Sequence, residues 1–217
     1  PAGAMLVRRI LEQRARDAAR LSSPSANRNK AVIADVLAEI LPENARVIEI
    51  ASGTGEHALA CVTARPDLAW TPSEPDPESR ASVDAWAEEA HGRISACLGL
   101  ATTEPGWSDA LGPFDALFCA NMVHIAPWEA AEGLFAGAGG TIVPGGMVCL
   151  YGPFQEGAAT APSNLEFDAS LKARDPRWGV RALADVDALA ARCGFSREAR
   201  REMPANNLLL VYRKAPA

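Results

Sequence analysis

A pair of glycines that directly follows a short apolar run gives the sequence its clearest chemical signal. The run 47–51 leads into Ser-Gly-Thr-Gly, with the glycines at Gly53 and Gly55. Where a strand turns into a helix, glycine lets the backbone approach a ligand closely because no Cβ intervenes. Glu74 lies at the end of the next apolar segment, where a carboxylate can accept hydrogen bonds from both hydroxyls of a ribose. The pattern therefore predicts a site for a nucleotide-like cofactor.

The same loop fits two classes of cofactor. Its glycines match the G-x-G-x-x-A fingerprint of dinucleotide-binding domains, so NAD stays open. Glu49 lies inside the preceding apolar run, where methyltransferases place an acid to organise the loop and face the methionine end of S-adenosylmethionine. No Tyr-x-x-x-Lys pair for hydride transfer is present, because Tyr151 and Tyr212 both lack the lysine. We therefore favour S-adenosylmethionine over NAD.

Further polar residues follow two later apolar runs. Asn121, Met122 and His124 come after one run, and Tyr151 ends the next. In an open parallel sheet, ligands bind outside the carboxyl ends of the strands. We therefore predict that these residues lie where a substrate reacts.

His124 is the candidate for a general base, because imidazole has an ordinary pKa of about 6.5. An equally good interpretation is that His124 caps the following helix or bonds to the backbone. Asn206 and Asn207, between the last two apolar runs, could orient a polar acceptor through their amides. Asparagine that merely forms a turn is the alternative for these two residues.

The elements that must position these residues alternate along the chain. Short apolar runs, interpreted as strands, are separated by segments whose apolar residues recur at the helical period. The predicted strands cover 47–51, 68–73, 94–100, 114–119, 147–151, 195–203 and 208–212, and the predicted helices cover 30–41, 56–64, 79–90, 127–138 and 183–193. Such alternation predicts an α/β fold, a three-layer sandwich around a mostly parallel seven-stranded sheet.

The connection between the last two predicted strands is short. It consists of Pro-Ala-Asn-Asn, which is too short for a parallel crossover. The last strand is therefore predicted to be antiparallel. A parallel sheet finished in this way is typical of class I, Rossmann-like methyltransferases, whereas a dehydrogenase-type domain would continue with a parallel strand.

The order of the elements leaves room for one domain. We predict a single domain over residues 28–217, preceded by a helical or mobile arm over residues 1–27. The insertion at about 154–181 mixes aromatic, acidic and basic residues, with Trp178 and Arg181 as candidate substrate contacts. We interpret the insertion as a lid over the substrate, and a packed surface excursion is the alternative.

Composition and charge argue against several classes of protein. Hydrophobic residues make up 48% of the 217 residues and charged residues 22%, a balance typical of soluble globular proteins. The net charge of −6 argues against a nucleic-acid partner. The lack of an apolar run of about 20 residues argues against a membrane protein. The five cysteines show no paired spacing, which favours a reducing, cytoplasmic location. No cluster has metal-ligand spacing, so we expect no metal. We expect a small-molecule substrate, because the acidic balance disfavours a nucleic-acid substrate.

Several long stretches of the sequence resemble a known family. They are Arg28-Asn29-Lys30, IEIASGTGEHA (48–58), WTPSEPD (70–76), ANMVHIAPW (120–128), YGPF (151–154), SNLEFDASLKARDPRWGVR (163–181) and MPANN (203–207). From about Arg28 to the C-terminus, the chain resembles the S-adenosylmethionine-dependent methyltransferase-like family of unknown function, related to methyltransferase-like protein 26. The resemblance implies a class I methyltransferase fold with the cofactor on the glycine loop, and it implies no particular substrate.

The resemblance and the chemistry of the residues together suggest three sets of site residues. The cofactor-binding set is Arg28, Asn29, Glu49, Ala51, Gly53, Gly55, Glu74, Asn121 and Met122. The catalytic set is His124, Asn121 and Tyr151, and the substrate-binding set is Trp178, Arg181, Asn206 and Asn207. One position departs from the family, which tends to have an acid where this chain has Gly99. Backbone groups would then have to contact the adenine amine.

These observations lead to one expected function and two alternatives. We expect an enzyme that binds S-adenosylmethionine, needs no metal, and transfers the methyl group to a small polar acceptor. One alternative is a module that binds S-adenosylmethionine or a partner without catalysis. The other is an NAD-dependent oxidoreductase.

Overall fold

The structure is a computed structural model and describes residues 15–217. The described chain divides into two compact units, one that ends at Ala101 and one that covers Thr102–Ala217. The predicted arm falls partly on residues 1–14, which lie outside the described residues. The predicted single domain over residues 28–217 stays a prediction.

The N-terminal unit contains a short hairpin, two parallel strands and three helices. Its elements are β1 (Ala15–Asp17), β2 (Arg20–Ser22), α1 (Pro24–Ile40), β3 (Arg46–Ile50), α2 (Glu56–Ala64), β4 (Ala69–Pro72), α3 (Pro77–Ala87) and a 3₁₀ turn (Glu88–Ala90). β3 and β4 pair in parallel, with Val47 opposite Trp70, and both of these side chains are buried. The βαβ arrangement that the alternating pattern predicts is therefore confirmed in this unit.

The first elements differ from the prediction. The helical interpretation of the arm is wrong for residues 15–22, which form the antiparallel hairpin β1–β2. The extended backbone lets Leu21 donate its N–H to Ser82 Oγ (2.8 Å) and accept a hydrogen bond at its carbonyl from Trp86 Nε1 (2.9 Å). A helix would use both of these backbone groups internally, so contacts distant in sequence decide the conformation here.

Helix α1 begins six residues before the predicted start at residue 30. Ser23 is its N-cap and accepts a hydrogen bond from Ala26 N–H at 3.1 Å, and Pro24 occupies the first helical position. A capping serine directly before proline is a pattern that starts a helix, which accounts for the earlier beginning. Pro42 holds Leu41 in an extended conformation, so the helix ends at Ile40, one residue before the predicted end.

The predicted strand 94–100 is wrong. Only two isolated parallel bridges to the β4 region form there, Trp70 with Ile94 and Ser73 with Leu98. Pro72 has no N–H with which to continue the ladder. Cys97 N–H donates instead to the carboxylate of Asp84 at 2.8 Å. The missing N–H of Pro72 and the bond from Cys97 to Asp84 together prevent regular pairing between residues 94–100 and β4.

The C-terminal unit carries the other four strands of this α/β fold. Its elements are β5 (Phe114–Ala120), α4 (Trp128–Thr141), β6 (Ile142–Gly152), a 3₁₀ turn (Gly157–Ala159), α5 (Pro162–Arg174), α6 (Leu183–Arg192), β7 (Phe195–Met203) and β8 (Asn207–Lys214). β5 and β6 are parallel, whereas β8 is antiparallel to both β6 and β7. The predicted antiparallel last strand is therefore confirmed. Apart from the β1–β2 hairpin, residues 15–217 contain six strands, so the predicted count of seven is one too high.

Two glycines on α4 let the segment 102–107 lie against the helix. Trp107 Nε1 donates to the carbonyl of Gly133 at 2.9 Å. A Cβ on Gly133 would lie 1.8 Å from the carbonyl oxygen of Thr102, and a Cβ on Gly137 would lie 2.2 Å from the ring of Trp107. Side chains at these two helical positions would occupy the space that the segment fills.

Among the helices of residues 15–217, none combines the length and apolar character needed to cross a membrane.

Candidate functional site

The glycine turn between β3 and α2 has three residues in the left-handed region. Ala51, Gly53 and Gly55 have φ values of 57°, 59° and 95°. A Cβ on Gly55 would lie 2.7 Å from the Cα of Val83, so glycine is required there by contact as well as by conformation. A Cβ on Gly53 would meet no atom within 4 Å, which leaves open space beside its backbone.

Glu74 follows β4 and faces the glycine turn. Its Oε2 accepts a hydrogen bond from Gly53 N–H (3.0 Å) and its Oε1 accepts one from Asp76 N–H (3.1 Å). Two backbone donors therefore fix the plane of a carboxylate that is 8% exposed. The structure thus places Glu74 beside the glycine turn.

Glu49, on β3, bonds to the first residues of the glycine turn and to the neighbouring strand β4. It is 1% exposed, and its Oε2 accepts hydrogen bonds from Ser52 Oγ (2.9 Å) and Trp70 Nε1 (3.0 Å). Ser73 Oγ donates to the backbone carbonyl of Glu49 at 2.6 Å. Burial raises the pKa of Glu49 to about 7, although the bonds from Trp70 and Ser52 act in the opposite direction. Ser52 and Trp70 were not in the predicted set, and no sequence spacing marks them.

We expect Glu49 to impose a pH dependence on stability. Its folded pKa of about 7 lies above its ordinary value of 4.5, so the folded protein binds this proton where the unfolded chain has lost it. The stabilisation is complete below pH 4.5 and is lost as the pH rises through about 7. The slope approaches about 1.4 kcal/mol per pH unit. Urea unfolding should show that the free energy of unfolding of the wild type falls across this window relative to that of Glu49→Gln, because the contributions of the buried histidines are common to both proteins and cancel in the difference. A difference between the two proteins that does not vary with pH would contradict the assignment.

The remaining predicted cofactor residues of this unit lie on α1. Asn29 is buried, and its Oδ1 lies 2.7 Å from His57 Nε2. Burial lowers the pKa of His57 to about 4, so the imidazole is neutral at neutral pH. Arg28, one residue earlier on the same helix, is exposed. The helix thus brings Asn29 against the start of α2 and leaves Arg28 facing solvent.

In the C-terminal unit, the turn after β5 carries two of the three predicted catalytic residues, Asn121 and His124. Asn121 has a φ of 61°, and its N–H donates to the carbonyl of Tyr151 on β6 at 2.8 Å. A Cβ on Gly152 would lie 3.3 Å from His124 Nδ1 and 3.5 Å from Asn121 Oδ1. The structure therefore brings Asn121 and His124 together at the end of β6. The side chain of Tyr151 is buried, and Met122 is partly exposed.

His124 is 2% exposed, and its Nδ1 has no hydrogen-bond partner within residues 15–217. Burial lowers the pKa of His124 to about 3, and the positive charge of Arg181 lowers it further. The ring meets the edge of Phe167 at 5.7 Å between centroids. His124 does not cap α4, whose N-cap is Pro127 and which has no side-chain cap. The capping alternative is therefore not observed.

The insertion 154–181 is bonded to the turn that holds His124. Gly179 N–H donates to the carbonyl of His124 at 3.0 Å. Arg181 Nε donates to the carbonyl of Val123 (2.9 Å), and its Nη2 donates to that of Ala126 (2.7 Å). Arg181 was expected to contact the substrate, but its guanidinium is bonded to backbone carbonyls of this turn. Trp178 was expected to do the same and is buried instead.

The two predicted asparagines lie at the β7–β8 turn. Asn206 has a φ of 57°, and its Nδ2 donates to Ser163 Oγ on α5 at 2.9 Å. Its carbonyl accepts a hydrogen bond from Asn164 Nδ2 at 3.0 Å. Asn207 Nδ2 donates to the carbonyl of Pro204 at 3.0 Å. The amides of both residues thus bond within this turn and to α5, which agrees with the turn-forming alternative.

Asp168 is a buried acid outside the predicted set of site residues. Its Oδ1 accepts a hydrogen bond from Val180 N–H (2.8 Å), and its Oδ2 pairs with Lys172 Nζ (2.7 Å). The spacing of four residues between Asp168 and Lys172 is the sequence signal for this pair. Within residues 15–217, no three His, Cys, Asp or Glu side chains come together in a way that could bind a metal ion.

Comparison with solved structures identifies the fold. An O-methyltransferase family protein from Burkholderia thailandensis matches with a TM-score of 0.76 and 16% identity over 89% of this chain. An O-methyltransferase family 2 protein from Planctomyces limnophilus, in complex with apigenin, matches with a TM-score of 0.73 and 17% identity over 88%. Mitomycin 7-O-methyltransferase MmcR matches with a TM-score of 0.73 and 15% identity over 88%. The predicted class I methyltransferase fold is therefore confirmed.

The chain spans only part of these proteins, namely 58% of the first, 60% of the second and 54% of the third. Independently of the structures, its sequence matches a family model described as "Protein of unknown function (DUF938)" over residues 20–214. The match covers nearly all of the chain and confirms the expectation of a family of unknown function, while the methyltransferase-like fold rests on the solved structures. The chain belongs to the DUF938 family.

Proposed function

We propose that the protein is an S-adenosylmethionine-dependent methyltransferase that acts on a small polar acceptor. The observation that carries the proposal is the carboxylate of Glu74, which Gly53 N–H and Asp76 N–H orient beside the glycine turn. A carboxylate at the end of the strand that follows the glycine turn is the group that accepts hydrogen bonds from the hydroxyls of a ribose in nucleotide-binding sites of this kind. The open space beside Gly53 allows a ligand to approach the backbone.

The proposed acceptor site is built around His124 and Asn121. The pKa of His124 near 3 makes its imidazole neutral but a weak base at neutral pH. We therefore propose that His124 Nδ1 accepts a hydrogen bond from the acceptor hydroxyl and orients it. His124 takes up the hydroxyl proton only as the C–O bond forms and the S–C bond breaks, when the oxygen has become more acidic than the imidazole, and the proton then passes to solvent. The sulfonium of S-adenosylmethionine already activates the methyl group, so positioning of the acceptor supplies much of the catalysis.

Low-identity structural relatives support a small acceptor. The Planctomyces protein is in complex with apigenin, and MmcR is described as a mitomycin 7-O-methyltransferase. By analogy, we propose an acceptor that carries a hydroxyl group. Kinship with methyltransferase-like protein 26 and a cytoplasmic location are further proposals, which rest on the sequence motifs and the cysteine pattern.

A thermal-shift comparison tests the cofactor. S-adenosylhomocysteine should raise the melting temperature of the wild type, because a ligand that binds only the folded state stabilises it. Glu74→Gln should weaken the binding of S-adenosylhomocysteine by about tenfold or more, the order expected when a hydrogen bond to a charged group is lost. Isothermal titration measures this loss.

Glu88→Gln is the matched control, because Glu88 is an exposed acid of the same unit and its neutralisation should leave affinity unchanged. Stabilisation by NADH with no response to S-adenosylhomocysteine would overturn the proposed function in favour of the oxidoreductase. Binding of S-adenosylhomocysteine without methyl transfer to any acceptor would favour the non-catalytic alternative.

A further inference from the structure

Side chains bond the glycine turn to a segment that precedes the first long helix. This anchoring segment, residues 20–23, consists of β2 and the N-cap of α1. It is distant in sequence from the turn, and neither its composition nor its spacing marks it as part of a site. Two buried side chains, Ser82 on α3 and Glu56 on α2, connect the segment to Thr54.

Ser82 forms the first connection through a single hydroxyl group. Its Oγ accepts a hydrogen bond from Leu21 N–H and donates one to the backbone carbonyl of Thr54, both at 2.8 Å. The residue is fully buried, so water does not compete for either bond. The hydroxyl therefore fixes the distance between the anchoring segment and the backbone of the turn.

Glu56 forms the second connection through a single carboxylate oxygen. Its Oε2 accepts hydrogen bonds from Ser23 N–H and from Thr54 Oγ1, both at 2.9 Å. Its Oε1 pairs with Lys30 Nζ at 3.0 Å, which balances the buried charge. Bonds to an ionised group are stronger than bonds between neutral groups. Ser82 and Glu56 thus link the carbonyl and the hydroxyl of Thr54 to the anchoring segment.

The anchoring segment is itself fixed on α3. Trp86 Nε1 donates to the carbonyl of Leu21 at 2.9 Å, and Arg20 Nε donates to that of Ala85 at 3.2 Å. The Arg20 guanidinium lies 4.8 Å from the centre of the Trp86 ring. Contacts with α3 therefore fix the position of the anchoring segment without any contribution from the glycine turn.

We infer that Ser82 and Glu56 are positioning residues for the cofactor-binding turn, and that they couple the turn to the anchoring segment. Thr54 lies between Gly53 and Gly55, both of which have left-handed backbone conformations. Because glycine has wide conformational freedom, this part of the turn is easily disordered unless other groups restrain it. Restraint of both polar groups of Thr54 reduces that freedom before a ligand arrives, which lowers the ordering cost of binding. The inference rests on the proposed function for the identity of the ligand, but the coupling itself exists without it.

Amide hydrogen exchange in the unliganded protein tests the coupling. Ser82→Ala should accelerate exchange at Gly53 and Gly55 by about tenfold, the effect expected from loss of one buried hydrogen bond. Ser79→Ala is the matched control, because Ser79 is also buried on α3 but its hydroxyl donates to Asp76 at 2.6 Å. Acceleration confined to Leu21, which loses its direct acceptor, would overturn the inference.

A second measurement uses S-adenosylhomocysteine as the probe. It should slow amide exchange at Leu21 and Ser23 in the wild type, and should no longer do so in a variant that combines Ser82→Ala with Glu56→Gln. Binding without any change at these two amides would overturn the inference and leave the proposed function standing. Absence of binding to the wild type would overturn the proposed function, and the unliganded measurement would still decide the coupling.

Discussion

Replacement of Gly133 by alanine should destabilise the protein by about 3 kcal/mol or more, at the upper end of the cost of overpacking. The added Cβ would lie 1.8 Å from the carbonyl oxygen of Thr102, and this neighbour is backbone that cannot change its rotamer. The helix or the segment 102–107 must therefore move. Urea unfolding followed by circular dichroism measures the loss.

Gly140→Ala provides the matched control on the same helix. A Cβ at Gly140 would meet no atom within 4 Å, so the better helix propensity of alanine should be neutral or slightly stabilising. Gly137→Ala should fall between the two variants, because the atoms it meets belong to the Trp107 side chain, which can shift. Equal stability of the Gly133→Ala and Gly140→Ala variants would contradict the packing of this segment on α4.

His124→Gln should reduce methyl transfer by about a hundredfold or more, the lower range for loss of a positioned group that handles the acceptor proton. Affinity for S-adenosylhomocysteine should stay at the wild-type value, because the proposed role of His124 concerns the acceptor. Incubation of lysate metabolites with the enzyme and isotopically labelled S-adenosylmethionine, followed by mass spectrometry, identifies the methylated product and then measures its rate of formation.

His91→Gln is the control for this measurement, since His91 is an exposed histidine and no role in the reaction is proposed for it. Its turnover should equal that of the wild type. If His124→Gln kept full turnover, His124 would be a structural residue. A parallel loss of turnover and of cofactor affinity would instead indicate a general disturbance of the fold.

The glycine turn was predictable because its signal is local. A strand, two glycines and an acid at the next strand end are all readable from neighbouring residues, and the structure places Gly53 and Glu74 in contact at 3.0 Å. The alternation of elements was predictable for the same reason. The β1–β2 hairpin was not predictable, because the bonds of Leu21 are made with residues of α3 far along the chain.

The roles of polar residues in the insertion were also beyond sequence reasoning. Arg181 and Trp178 have side chains that are common in substrate sites, and residue type alone suggested that use. Which groups a side chain meets depends on the path of the chain, and here the guanidinium of Arg181 meets backbone carbonyls. The segment 94–100 is a case in which the apolar pattern predicted a strand that does not form, because Pro72 lacks an N–H and Cys97 N–H bonds to Asp84 instead.

The bonds between the insertion and the turn after β5 limit how this protein could be shortened or rearranged. The carbonyls of Val123, His124 and Ala126 accept hydrogen bonds from Arg181 or Gly179, so the insertion supplies the partners that regular secondary structure would otherwise provide. Lysine could not replace Arg181, because a single ammonium does not reproduce the planar fork of donors. The insertion is therefore not a module that evolution or an engineer can trim or exchange independently of His124.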